Sequence, residues 1–149
     1  MIDELPTPSL RLAVLCERVL VEKDNAISLI RIINRFTVTR VGHGTPSSMP
    51  EERVPITIVS SWTGGLGSHQ ARAVITGPLE TRVELPSQSF HLGSLDQAYN
   101  IVSRVDLTVK AEGLYWVSFE LDGVTKARVP LRVIYARTEL PAPPLRSSD

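Results

Sequence analysis

Residues 113–133 read GLYWVSFELDGVTKARVPLRV. In the first half Tyr115, Val117, Phe119 and Leu121 share one face of an extended chain, and in the second Thr125, Ala127, Val129, Leu131 and Val133 share another, because strand side chains alternate with period two. Asp122-Gly123 between them is a hairpin signal. The two apolar faces must coincide if one side of the hairpin is to be buried. A two-residue turn would set Lys126 opposite Phe119 and Arg128 opposite Val117, with a charge at each apolar position. The pattern therefore predicts an odd-length loop of three residues, with Gly123 at positive φ forming a bulge.

The same alternation recurs upstream. Leu10, Leu12, Val14 and Cys16 alternate with Arg11, Ala13 and Glu17, and the run continues through Val19 to Val21 before a turn at Lys23-Asp24-Asn25. A helix over residues 10–22 is the rival reading of this segment, and the alternation favours the strand. Ile27 to Val38 is almost wholly β-branched or large and apolar, as expected of one strand near the middle of a sheet. Residues 40–52 form the longest internal loop. Val54 to Trp62, Ala71 to Thr76, Leu79 to Leu85 and Tyr99 to Lys110 are the next strands, with Pro86 to Gln97 irregular. Glu112-Gly113-Leu114-Tyr115 suits the approach to the penultimate strand of an immunoglobulin-like fold, where a tyrosine corner closes. The resulting expectation is all-β: an immunoglobulin-like sandwich of two antiparallel sheets with about eight strands over residues 10–136. An N-terminal extension (1–9) precedes it, and a Pro-rich flexible tail (137–149) ends the chain.

Composition agrees. Sixteen Val, ten Ile and eleven Thr stand against nine Ala, and eleven prolines break any long helix. The 149 residues suffice for one hydrophobic core without disulfide or metal. Sixteen basic residues balance sixteen acidic ones, which removes the footprint that nucleic acid or anionic lipid would need. An acidic N-terminus, with no apolar run of ~20 residues, leads to the expectation of a cytoplasmic location. Cys16, the only cysteine, can form no internal disulfide.

The chain resembles a bacterial domain-of-unknown-function family through Leu15-Cys16-Glu17, Ile27-Ser28-Leu29-Ile30, Gly64-Gly65-Leu66-Gly67-Ser68-His69, and Gly113-Leu114-Tyr115 through Asp122-Gly123 to Pro130-Leu131. Together these strings span most of residues 10–135. The resemblance implies an immunoglobulin-like β-sandwich and supplies no activity, ligand or catalytic residue. Where the family has a Pro-Asp-Gly turn, this chain has Gly77-Pro78-Leu79-Glu80, so that hairpin is expected to be built differently.

No string of residues specifies chemistry. Thr63-Gly64-Gly65-Leu66-Gly67 comes after a strand but lacks the helix that a dinucleotide site requires, and reads as a tight, mobile loop between adjacent strands. His43, His69 and His91 have no ligand spacing. Ser68, His69 and Asp96 form a trio that chance supplies. Glu51-Glu52, and Glu80 with Glu84, lie on solvated surface with nothing apolar to raise a pKa. No cofactor or metal is implied. The sequence points to a non-enzymatic binding or assembly module that contacts a protein partner or itself through a sheet edge or loops. Its candidate surface comprises Gly64, Gly65, Gly67, His69, His43 and His91, on loops His43 to Pro50, Gly64 to His69 and Ser87 to Gln97, with Trp62 at a strand end and Trp116 on a hairpin-strand face as contact anchors. The alternative is a small-molecule or carbohydrate-binding, or hydrolytic, protein whose three histidines converge at one rim.

Overall fold

A computed structural model describes residues 5–24 and 26–141. They form ten strands and no helix: β1 (Ser9–Val21), β2 (Ile27–Ile33), β3 (Arg35–Gly42), β4 (Glu52–Thr63), β5 (Gly67–Gly77), β6 (Thr81–Glu84), β7 (Gln88–Leu92), β8 (Ala98–Val109), β9 (Gly113–Leu121) and β10 (Val124–Glu139). One sheet runs β2-β1-β4-β8, the other β3-β10-β9-β5-β6, with β7 also on β5. β1 is a strand throughout, as its alternation predicts.

Two strands more than the expected eight arise from two misread segments. Ile27 to Val38 is not one central strand. It is two edge strands, β2 and β3, parted at Asn34, where the chain crosses from one sheet to the other and the Asn34 carbonyl accepts the Arg132 amide at 2.9 Å. The stretch is rich in apolar residues, with Arg31, Asn34 and Arg35 interspersed, because each edge strand still packs one face inward, which period counting did not separate from double-sided burial. The segment read as irregular holds β7, which continues β6 along β5 with a register change of one residue around Pro86. Proline there blunts the edge. The expectation of purely antiparallel sheets also fails at one place, since β3 runs parallel to β10 from Arg35↔Arg132 to Gly42↔Glu139. β10 thus extends three residues into the segment expected to be a tail. Residues 142–149 of that tail, residues 1–4 of the extension and Asn25 of the first turn lie outside the described residues.

The β9–β10 hairpin fulfils the face requirement by a different device. Asp122 (φ 49°) and Gly123 (φ 81°) make a two-residue turn with both residues left-handed, the type I′ geometry that matches strand twist. Lys126 is then extruded as a bulge, so Phe119 pairs with Ala127 and Val117 with Val129. The odd residue sits inside β10, not in the loop, and the charges stay outside.

A single core lies between the sheets. Leu15, Ile56, Ile58 and Trp62 meet Ile75, Phe90, Tyr115, Val117, Phe119, Leu131 and Val133 there. Tyr115 is fully buried, and its hydroxyl donates to the Ala111 carbonyl at 2.7 Å. The sequence reading expected Tyr115 to bond back to the backbone in this way. A Cβ at Gly77 would lie 2.3 Å from the Tyr115 ring, so β5 needs glycine where it passes that side chain.

Candidate functional site

The residues singled out by sequence do not assemble into a site. Trp62 is fully buried, its indole N–H donating to Ser60 Oγ at 3.2 Å, and it belongs to the core. Gly64 and Gly65 lie in a loop that does not join adjacent strands; it crosses from β4 in one sheet to β5 in the other. That loop is covered by the protein's own N-terminal segment. The Leu66 amide donates to the Pro6 carbonyl at 3.0 Å, and a Cβ at Gly65 would lie 2.3 Å from Pro8 N. Close backbone approach, with the positive φ of Gly64 and Gly67, accounts for the glycines.

His69, at the start of β5, has both ring nitrogens bonded: Nδ1 to Asp122 Oδ2 at 2.7 Å and Nε2 to the Leu66 carbonyl at 2.8 Å. Carboxylate and carbonyl oxygens only accept, so the two bonds are made together only when both nitrogens carry a proton, and the site favours the imidazolium form. Burial pulls its pKa down, but the Asp122 and Leu66 hydrogen bonds and the Asp122 charge outweigh that and leave it above the ordinary value of 6.5. Burial pushes Asp122 up, yet the His69 and Gln70 hydrogen bonds, with the charges of His69 and Lys126, leave it below 3.8. His91 Nδ1 meets Ser68 Oγ at 3.0 Å on the opposite face of the sheet from His69, since Ser68 pairs with His91 and His69 with Phe90. His43 Nδ1 donates to the Leu140 carbonyl at 3.1 Å, beyond the far end of β10 from Asp122. The sixteen residues of β10 span roughly 50 Å. The three histidines therefore share no rim, which overturns the geometry of the small-molecule alternative. Among the described residues no cluster of three or more His, Cys, Asp or Glu is placed to hold a metal. Ser68, His69 and Asp96 make no hydrogen bonds to one another: Ser68 meets His91, His69 meets Asp122 and Asp96 accepts from Ser94.

Trp116 does lie on the outer face of the six-stranded sheet, half-buried under Arg128, whose guanidinium carbon sits 4.3 Å from the ring centroid. Beside it Arg72 pairs with Glu84 and Glu120, and Arg82 with Glu84, so this face is satisfied internally. Glu80 is not on the β6 face with Glu84 but in the turn before it. Loop 43–51 is tied down: Tyr135 Oη donates to the Pro46 carbonyl at 2.7 Å, Arg137 to the Thr45 carbonyl at 3.2 Å, and Met49 is buried.

The feature that single-residue reading missed is the far half of β1–β2. β1 pairs with β4 from Ser9 only as far as Cys16↔Thr57, whereas its pairing with β2 continues to Val21↔Ile27. Two residues past Thr57, β4 reaches Pro55, which has no N–H to offer a further rung. From Glu17 onward the hairpin is a two-stranded arm. Arg31, at its base, sits at φ 57°, an unusual conformation for a side chain-bearing residue. The arm carries Val19, Leu20, Val21, Ile27, Leu29 and Ile30, apolar on both faces. Leu20 is 46% exposed and Val21 66%, and below the arm Ile32, opposite Cys16, is 61% exposed. Where the arm leaves β4, a cleft of about 560 Å³ opens between the sheets, lined by Glu17, Arg31, Ile33, Arg35, Phe36, Thr37 and Pro55. The signal was present in the sequence as a Val-Ile-Leu-rich hairpin facing a strand interrupted by proline.

No family model matches the chain, and no curated protein matches it significantly.

Proposed function

We propose that the protein is a non-enzymatic binding or assembly module of immunoglobulin-like architecture, acting in the cytoplasm through its β1–β2 arm and the cleft beside it, with a protein partner or itself as ligand. The observation that carries this reading is the arm: a two-stranded ribbon with apolar side chains on both faces and, among the described residues, no third strand. An isolated hairpin is marginal in water, and isolated exposed aliphatics are ordinary, but a contiguous set at one sheet edge marks a contact surface. Such edges are also where extended segments of partners add.

The test compares the tagged chain with its Leu20→Ser/Val21→Ser variant in two assays, capture from a lysate of the source cell against a bare-tag control, and sedimentation of the purified protein. The expected result is a stoichiometric protein, or self-association, that the wild type shows and the variant loses. Absence of both, or their persistence in the variant, overturns the reading.

A further inference from the structure

We infer that the occupant of the cleft is the arm of a second copy of this chain, exchanged reciprocally across a two-fold axis; the inference rests on the binding reading above and names its partner. Three observations point to it. Chemistry matches first: the cleft offers Ile33, Phe36 and Pro55 between the sheets, and the arm offers exposed Leu20 and Val21 with half-buried Val19, Ile27 and Leu29. Moving these aliphatic side chains into such a space takes apolar surface of both partners out of water, which is the main source of association energy.

Charge matches second. The described tip of the arm, Glu22-Lys23-Asp24, carries two carboxylates against one ammonium, and Glu22 has only the Ser28 hydroxyl at 3.5 Å as a side-chain partner among the described residues. The mouth of the cleft carries Arg31 and Arg35 against Glu17, and Arg31 takes up Glu17 at 3.5 Å, so the mouth keeps one excess positive charge. A net negative tip thus faces a net positive mouth.

Placement comes third. Glu17 and Arg31 form both the base of the arm and a wall of the cleft, so donor and acceptor lie on the same side of one molecule. A single two-fold then satisfies both arms at once, and the assembly closes at two copies instead of growing into a filament.

Sedimentation of the full chain across a concentration series tests this with two fold-sparing variants. Leu20→Ser/Val21→Asp removes the arm's exposed apolar groups, and Thr37→Trp blocks the cleft from an exposed position. The wild type is expected to be dimeric and each variant alone monomeric. A one-to-one mixture of the two variants should recover a dimer, since one arm and one cleft remain intact, at least about tenfold weaker than wild type because one of two linked contacts is gone. A wild type that stays monomeric above roughly 100 μM, or a mixture that fails to recover association, overturns the exchange. Arm-dependent capture of another protein by a monomeric chain would overturn this inference and leave the binding reading standing; loss of both would sink both.

Discussion

His69 shows how much a single side chain is asked to join. Its ring ties the tip of the β9–β10 hairpin, through Asp122, to Leu66, and Leu66 in turn holds Pro6 of the N-terminal segment. The bonds require the protonated ring. Because the folded pKa is raised above the unfolded value near 6.5, the stability contributed is fully present below that pH and is lost as pH rises through the folded value. Asp122, with its folded pKa depressed, contributes above its unfolded value and loses that contribution as pH falls through the folded one. Denaturant midpoints should therefore decline from pH 6.5 upward. His69→Gln, which cannot carry the charge, should be less stable at pH 6 and should flatten this decline; an equally steep decline in the variant would assign the pH dependence elsewhere. Tyr115 is the contrasting case. Its bond to Ala111 was readable from Gly113-Leu114-Tyr115 because a corner of that kind is specified locally, whereas nothing near His69 in the chain names Asp122, fifty-three residues away.

At the scale of elements, two hairpins use the same turn with unequal suitability. Asp122-Gly123 suits a turn with both central residues left-handed. Leu79-Glu80, at φ 56° and 57°, has the same pair of left-handed central residues inside a three-residue connection, closed by the Thr81 amide on the Pro78 carbonyl at 3.2 Å, although L-residues with full side chains lose roughly 1–2 kcal/mol each in that region. Replacing Leu79-Glu80 by Asn-Gly should raise stability by about 1–2 kcal/mol, read as a shift of the denaturation midpoint at constant slope. No gain would mean that the strain is offset by contacts of the exposed Leu79. Period-two reasoning found β1, β4, β5, β6, β8, β9 and β10 because each has one wet and one dry face or a long buried run. It failed where register rather than pattern decides. Residues Ile27 to Val38 keep their hydrophobicity across a change of sheet. The bulge at Lys126 obeys the face rule that the sequence imposes, yet where the extra residue sits is set by turn twist, which alternation does not encode. The arm was only half legible for a related reason: its apolar hairpin and Pro55 both stand in the sequence, but that β1 loses β4 as a neighbour beyond Cys16 follows only once the two distant segments are paired.

For the whole molecule, the chain passes between the sheets five times, at Asn34 and in the connections β3–β4, β4–β5, β7–β8 and β8–β9. The strands of the two sheets are interleaved along the chain, and the six-stranded sheet is finished only by β9 and β10. Such non-local pairing predicts slow folding in a single cooperative transition, and it makes the C-terminal boundary consequential. Composition places that boundary at residue 136, since proline and small polar residues are concentrated between there and Asp149. The structure places it later. Arg137, Thr138 and Glu139 pair with Arg40, Val41 and Gly42, Arg137 holds the Thr45 carbonyl, and the Leu140 amide donates to Gly42 at 3.0 Å. These are the rungs that fasten the end of β3, whose opposite edge has no partner strand among the described residues, and they anchor loop 43–51 on its way to the centre of the other sheet. Truncation after Ala136 should therefore cost about 1–3 kcal/mol, from several hydrogen bonds worth ~1 kcal/mol each net. It should also remove amide-exchange protection from Arg40 to Gly42 first, both effects being read against a chain truncated after Pro141. Equal stability of the two truncated chains would return residues 137–141 to the status of a tail and release β3 as an edge held by Phe36 and Val38 alone.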